Sequence, residues 1–159
     1  MTARSALHLV LCLVLCLGVG AVTGSVTSAE IPTWYAGLVK PSWTPPNWAF
    51  PVVWTLLYFL MGIALWLLWD RAPAGSARTS AIALFFAQLA FNAAWSPVFF
   101  SLHQTKLALG IIVLLALLIA ATILAARRCQ PTAALLLSPY FIWVAYAATL
   151  NAGIVAMNP

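Results

Sequence analysis

Five stretches without a charged residue divide this chain, and they constrain its fold more than any other feature. They are residues 5–29, 41–69, 79–105, 107–126 and 129–159, and each is at least 20 residues long. Because an α-helix rises about 1.5 Å per residue, about 20 apolar residues cross the hydrocarbon core of a bilayer. The pattern predicts an all-α membrane protein, folded as a bundle of five transmembrane helices.

Turn residues at the ends of these stretches set the expected bounds of the helices. We predict helices over 7–26, 50–69, 80–100, 107–126 and 133–155, with a long first loop at 27–47. Only 6% of the residues are charged, whereas a soluble domain carries about 25%. The connections are too short for a second domain, so residues 1–159 are expected to form a single membrane domain.

The charged residues indicate topology rather than a nucleic-acid site. The net charge is +5, but the basic residues are scattered over several loops and form no patch, which argues against a nucleic-acid partner. Five of them (Arg4, Arg71, Arg78, Arg127, Arg128) lie on the N-terminal side of the predicted membrane, and Lys40 and Lys106 lie on the other. Since cytoplasmic loops carry an excess of Lys and Arg, we expect the N-terminus in the cytoplasm.

The first apolar stretch has two interpretations. A basic start, an apolar run from Leu7 to Leu17 and small residues up to Ala29 fit a cleaved signal peptide as well as a transmembrane helix. A cleaved form would leave four helices, and one side of the bundle would then have no partner.

Groupings typical of catalysis or metal binding are absent from the sequence. The two acidic residues, Glu30 and Asp70, are predicted on opposite sides of the membrane and cannot form a carboxylate pair. His8 and His103 lie at opposite helix ends, with no spacing to Cys or Asp that suits a metal. The sequence therefore predicts no metal site, and no buried acid or base of the kind an ion-coupled transporter needs.

The long loop and the start of the second helix are rich in Trp and Pro. The residues concerned are Trp34, Tyr35, Pro41, Trp43, Pro45, Pro46, Trp48 and Pro51. Each Trp alone fits the aromatic belt of a membrane interface. Together, with prolines that fix the backbone, they favour a structured lid over one end of the bundle.

Polar and aromatic residues also recur within three of the predicted helices. The second helix carries Trp54 and Tyr58, the third Gln88, Asn92 and Trp95, and the fifth Tyr140, Trp143, Ala147 and Asn151, at helical spacing. These stripes can face a common interior. For Asn92 and Asn151, hydrogen bonding between helices is as good an explanation as ligand contact, whereas Trp54 and Trp143 favour a cavity.

Three sequence blocks resemble the translocator protein family, also called the tryptophan-rich sensory proteins or peripheral-type benzodiazepine receptors. They are Trp34-Tyr-x-x-Leu-x-Lys-Pro-x-Trp-x-Pro-Pro-x-Trp-x-Phe-Pro-x-x-Trp54-x-x-x-Tyr58, Ala87-Gln-Leu-x-Phe-Asn92-x-x-Trp95-x-Pro97-x-Phe-Phe100, and Pro139-Tyr-x-x-Trp143-x-x-x-Ala147-x-x-Leu-Asn151. The resemblance covers nearly the whole chain and indicates a bacterial-type member. It also favours a retained first helix over a signal peptide.

The resemblance implies a homodimer with a pocket under the first loop that binds porphyrins. The ligand would be protoporphyrin IX or haem, with no further cofactor required. By position, the pocket residues would be Tyr35, Pro45, Trp54, Tyr58, Asn92, Trp95, Trp143 and Ala147. Lys40 could meet a porphyrin propionate at the membrane edge. Sterol-binding members carry an aromatic and a basic residue after the position of Asn151, and residues 152–159 contain neither, so specific sterol binding is not expected here.

Three functions are consistent with this resemblance. The first is a porphyrin or haem sensor that regulates tetrapyrrole levels or a stress response. The second is light- and oxygen-dependent breakdown of the porphyrin between Trp54 and Trp143, the only catalytic role we assign to any residue. The third is transport of porphyrin or another apolar ligand. Since spanning helices are the rule in the bacterial inner membrane, we expect the protein there.

Overall fold

Five long helices make up the computed structural model, which describes residues 2–159. They are α1 (Ala3–Glu30), α2 (Ala49–Trp66), α3 (Ser76–Ser96), α4 (Thr105–Arg127) and α5 (Pro131–Met157). Short π-helical turns, Leu67–Arg71 and Pro97–Ser101, extend α2 and α3. Each helix, with its extension, is long and apolar enough to cross a membrane. The predicted all-α bundle of five transmembrane helices is confirmed.

The helices extend past their predicted bounds by up to four residues. The largest difference is in α1, where the helix begins at Ala3 and ends at Glu30 rather than spanning 7–26. Polar residues in its last turns bond back to the helix, as when the Thr27 hydroxyl donates to the carbonyl oxygen of Thr23 at 3.0 Å. The predicted first loop at 27–47 therefore starts later, at Ile31.

The packing of the bundle is that of a protein surrounded by lipid. Large side chains such as Phe85, Leu137 and Tyr140 are fully buried between the helices. Apolar side chains such as Leu117 and Leu135 point outward and are 64% and 70% exposed, as expected where the surroundings are hydrocarbon rather than water. α1 packs mainly against α2, and α4 packs between α3 and α5.

Asp70 ties the start of α1 to the end of α2. The Ser5 hydroxyl donates to Asp70 Oδ2 at 2.6 Å, and His8 Nδ1 lies 2.9 Å from Asp70 Oδ1. Arg71 Nε is 3.5 Å from the same carboxylate. The Ser5 hydroxyl bonds to the Asp70 carboxylate and not to the His8 imidazole. His8 therefore does not activate the Ser5 hydroxyl as a nucleophile. The cluster joins two helices at the end of the bundle opposite the first loop.

Candidate functional site

The first loop, residues 31–48, folds into a compact cap over one end of the bundle. Lys40 organises it from within, since its Nζ donates to the carbonyl oxygens of Tyr35, Ala36 and Leu38 at 2.7, 3.3 and 3.0 Å. The same ammonium lies 4.8 Å from the centre of the Tyr35 ring. Its three donors are thus engaged inside the cap, so this geometry does not present Lys40 to a ligand propionate.

The cap is fastened to the C-terminal half of α5 and to Asn158, which follows that helix. The Asn158 side chain bonds the backbone of Val39 twice, accepting from its N–H at 3.0 Å and donating to its carbonyl oxygen at 2.9 Å. The Tyr146 hydroxyl donates to the carbonyl oxygen of Trp43 at 2.6 Å. Gly153 lies directly beneath the ring of Pro41, with no space for a side chain. The lid expected from the Trp- and Pro-rich sequence is therefore a docked, ordered segment.

The loop between α3 and α4 secures the other side of the cap. Trp34 stacks on His103 with ring centroids 4.2 Å apart, and His103 Nε2 lies 3.5 Å from Glu30 Oε2. His103 adopts a positive φ of 55°, a conformation that costs free energy in a residue other than glycine and persists only where its surroundings hold it. The Trp34 indole and the Glu30 carboxylate both contact its ring, and backbone hydrogen bonds of Leu102 and Gln104 flank it.

A cavity of about 450 Å³ lies beneath the cap, within the range of small-molecule sites. Its lining comes from α1, α2, α3, α5 and the cap: Leu17, Gly20, Ala21, Thr23, Gly24, Thr27, Ser28, Ile31, Asn47, Phe50, Pro51, Trp54, Thr55, Tyr58, Asn92, Trp95, Ser96, Phe100, Trp143 and Ala147. Every one of these side chains is uncharged. Six of them are exposed: Ala21, Gly24 and Ser28 on α1, Asn47 in the cap, and Pro51 and Thr55 on α2. The cavity is therefore open between α1 and α2, beside the cap.

Six of the eight predicted pocket residues line this cavity. They are Trp54, Tyr58, Asn92, Trp95, Trp143 and Ala147. Trp54 lies against Tyr58 and Tyr140, with ring centroids 5.7 and 6.3 Å apart, and Trp143 meets Phe50 edge-on at 6.1 Å. The stripes predicted on α2, α3 and α5 therefore do meet at one interior.

Tyr35 and Pro45, the other two predicted pocket residues, lie outside the cavity lining. The Tyr35 ring is buried beside Phe100, 5.6 Å away, and this burial raises the pKa of its phenol, which stays neutral. Pro45 is half-buried within the cap. Both residues shape the cap above the cavity instead of its wall.

A chain of buried hydrogen bonds runs from the floor of the cavity into the bundle. The Tyr58 hydroxyl donates to Asn92 Oδ1 at 2.6 Å, Asn92 Nδ2 donates to the Tyr140 hydroxyl oxygen at 2.6 Å, and the Tyr140 hydroxyl donates to Gln88 Oε1 at 2.8 Å. The chain joins α2, α3 and α5. Asn92 therefore both lines the cavity and bonds neighbouring helices, so the two explanations open for it are compatible.

Asn151 belongs to the packing of the bundle. Its Oδ1 accepts from Trp95 Nε1 at 3.2 Å, and its Nδ2 donates to the carbonyl oxygen of Thr105 at 2.9 Å. It is fully buried and does not line the cavity. Of the alternatives that its sequence left open, the geometry favours bonding between helices.

The contribution of α1 to the cavity was missed by the sequence analysis. Gly20, Thr23, Gly24 and Thr27 line it, although the first predicted helix showed mainly apolar residues. The small residues repeat at helical spacing on one face, and this spacing was the signal that could have placed α1 at the site. Their small size leaves the volume into which the aromatic rings of α2 and α5 face.

Comparisons with known proteins agree with this architecture. Residues 12–157 match the model of the TspO/MBR family. The tryptophan-rich protein TspO of Chlorobaculum tepidum is 40% identical over 156 residues, covering 98% of this chain and 99% of the relative. The tryptophan-rich sensory protein of Cereibacter sphaeroides is 37% identical over 94% of this chain and 91% of its own. The human translocator protein is 42% identical over 74% of this chain and 70% of its own. This chain belongs to the TspO/MBR family of membrane sensory and translocator proteins.

Proposed function

We propose that the cavity beneath the cap binds a porphyrin, protoporphyrin IX or haem, and that the protein acts as a sensor of tetrapyrrole levels. The observation that carries this proposal is the pair of indoles, Trp54 and Trp143, in the wall of an uncharged cavity. A porphyrin is a large flat π-system, and aromatic side chains pair with such rings in stacked or edge-to-face geometry. The open side between α1 and α2 gives a ligand wider than the cavity room to extend toward the lipid.

The chemistry of the lining supports binding rather than acid–base catalysis. Tyr58 is the only lining residue with an ionisable side chain, and its hydroxyl proton is committed to Asn92. General acid–base catalysis needs a group that exchanges a proton with the substrate at the operating pH. We therefore propose a receptor that needs no resident cofactor and recognises its ligand by shape and stacking.

A homodimer in the bacterial inner membrane, with the N-terminus in the cytoplasm, completes the proposal. Ala83 and Ala90 are exposed on α3, and Ala87 and Ala94 on the same helix are half-buried. Small residues at this spacing allow a second helix to approach closely. The five arginines on the end of the bundle opposite the cap support the orientation, because positive residues are retained in the cytoplasm.

Replacing Trp143 with Phe is expected to weaken protoporphyrin binding by about two- to tenfold. The smaller ring keeps the site apolar but loses part of a stacking contact, and such contacts contribute about 0.5–1.5 kcal/mol. The measurement is a titration of the purified protein, followed by the absorbance of the bound porphyrin. Trp69→Phe is the control, because Trp69 is 44% exposed at the other end of α2. Equal affinity in the wild type and both variants would remove Trp143 from the site.

A further inference from the structure

A groove lies on the outer side of the seam between α4 and α5, near the end of the bundle opposite the cap. Its volume is about 280 Å³, and it is lined by Ile123, Arg127, Pro131, Ala134, Leu135 and Ser138. Small-molecule sites normally enclose about 300 Å³ or more. This groove is smaller, and three of its lining residues are exposed, so it fits one part of a larger molecule that extends beyond it.

Short side chains on one face of α5 form the floor of the groove. Pro131, Ala134, Leu135 and Ser138 are spaced as neighbours on a single helical face. Ala134 is 3% exposed, and the Ser138 hydroxyl donates to its carbonyl oxygen at 3.0 Å. Neither side chain is long enough to fill the space between Ile123 and Leu135, and the one hydroxyl of the floor is bonded within its own helix.

The groove runs from the membrane surface into the hydrocarbon. Arg127 lies in the last turn of α4, and Ile123 is one turn deeper. Pro131 is the first residue of α5, and Ser138 follows seven residues later, about 10 Å along the helix axis. Leu135, between these two, is 70% exposed on the outside of the bundle. The single charge of the groove is therefore at its surface end, and the deeper part is apolar.

Arg127 has no carboxylate partner within the part of the chain that the structure describes. Asp70, the acid at this end of the bundle, lies 3.5 Å from Arg71, and Glu30 pairs with His103 at the other end. Arg127 is exposed, and a guanidinium can bind a phosphate group through two parallel hydrogen bonds. An anion from outside the chain would supply the missing partner.

We propose that this groove binds one anionic phospholipid per protomer, with the phosphate on Arg127 and part of one acyl chain along Ile123 and Leu135. Charge complementarity identifies the occupant, because basic pockets between transmembrane helices bind the head groups of anionic lipids. A phospholipid also has the order of groups that the groove has, a charge at the membrane surface followed by an apolar chain. The site is separate from the cavity beneath the cap, and the inference does not depend on a porphyrin ligand.

Native mass spectrometry of the detergent-purified protein tests the site by titration with phosphatidylglycerol or phosphatidylcholine of the same acyl chains. We expect the first phosphatidylglycerol to bind about tenfold more tightly than phosphatidylcholine, whose choline neutralises its own phosphate. Arg127→Gln should abolish this preference, because glutamine is polar but uncharged. Arg4→Gln is the matched control and should keep it, since Arg4 is an exposed arginine at the same end of the bundle, on α1 and outside the groove.

Ser138→Leu tests the contact with the acyl chain, because it fills the floor of the groove and leaves Arg127 in place. We expect the first phosphatidylglycerol to bind about tenfold more weakly to this variant. If it fails to fold, Leu135→Ala takes its place. That variant removes one wall of the groove at an exposed position, and we expect it to weaken binding about threefold.

Four results would overturn the inference. The first is a wild type that binds no lipid or binds both lipids equally. The second is an equal loss in Arg4→Gln and Arg127→Gln, which would show a general attraction to the charged end of the bundle. The third is unchanged binding in the folded groove variant, or displacement of the lipid by free glycerol phosphate, because either would mean that the groove holds no acyl chain. The fourth is a dimer that Ser138→Leu dissociates, which would assign the groove to a second copy of the chain.

Discussion

Gly20→Ala is expected to weaken ligand binding by about tenfold or more, although it adds a single methyl group. A Cβ atom at Gly20 would lie 2.5 Å from Cδ2 and 2.9 Å from Cε2 of Tyr58. The Tyr58 ring has little freedom to yield, because its hydroxyl is bonded to Asn92 at 2.6 Å. Either α1 moves away from α2 or Tyr58 leaves Asn92, and both movements alter the cavity floor. Overpacking of this kind costs about 1–3 kcal/mol.

Gly18→Ala is the matched control for this prediction. Gly18 lies in the same helix, and a Cβ there would meet no atom within 4 Å. Both substitutions gain the same helix propensity, about 1 kcal/mol in a soluble helix, so the difference between the two variants isolates the contact with Tyr58. Ligand titration and thermal denaturation in detergent measure both effects. If Gly20→Ala binds ligand as Gly18→Ala does, the close approach of α1 to Tyr58 does not shape the site.

The fold was predictable because it depends on a property that is local in the sequence. Charged residues cannot be left in hydrocarbon without partners, so the long gaps, such as those from Arg4 to Glu30 and from Lys40 to Asp70, mark the crossings. The helix ends were less predictable. Residues 27–30 are polar, and a loop was therefore predicted there. The helix nevertheless continues to Glu30, and helix ends are in general placed less precisely than helix interiors.

Only part of the candidate site was predictable, because some of its residues are recognisable by type and others only by their neighbours in the folded chain. Trp54, Asn92 and Trp143 stand out because aromatic and amide groups are conspicuous in apolar helices. Gly20 was missed because its contact with the Tyr58 ring is not visible in the sequence, where only its helical spacing with Thr23 and Thr27 indicates a shared face. The internal role of Lys40 likewise depends on how the cap folds back on itself, which no spacing in the sequence specifies.

Gly153→Leu is expected to detach the cap from α5, raising hydrogen exchange of the cap amides by about 10- to 1,000-fold. A Cβ at Gly153 would overlap the ring of Pro41, and proline is too rigid to turn aside. Lifting the cap breaks the two bonds of Asn158 and the bond from Tyr146. Each hydrogen bond contributes about 0.5–1.5 kcal/mol, so the loss of three bonds corresponds to the expected increase of about 10- to 1,000-fold in the exchange rate.

Hydrogen exchange over residues 38–46 measures the detachment, and Asn158→Ala isolates part of it. That variant keeps the contact of Gly153 with Pro41 but loses both bonds to Val39, so we expect a smaller increase of about 5- to 100-fold.

Gly110→Leu is the control, since Gly110 is exposed on α4 and a Cβ there meets no atom within 4 Å. Because Ile31 and Asn47 of the cap line the cavity, Gly153→Leu should also speed ligand dissociation. Exchange as slow as in Gly110→Leu would mean that the cap is held by the contacts of Trp34 and His103 and not by α5.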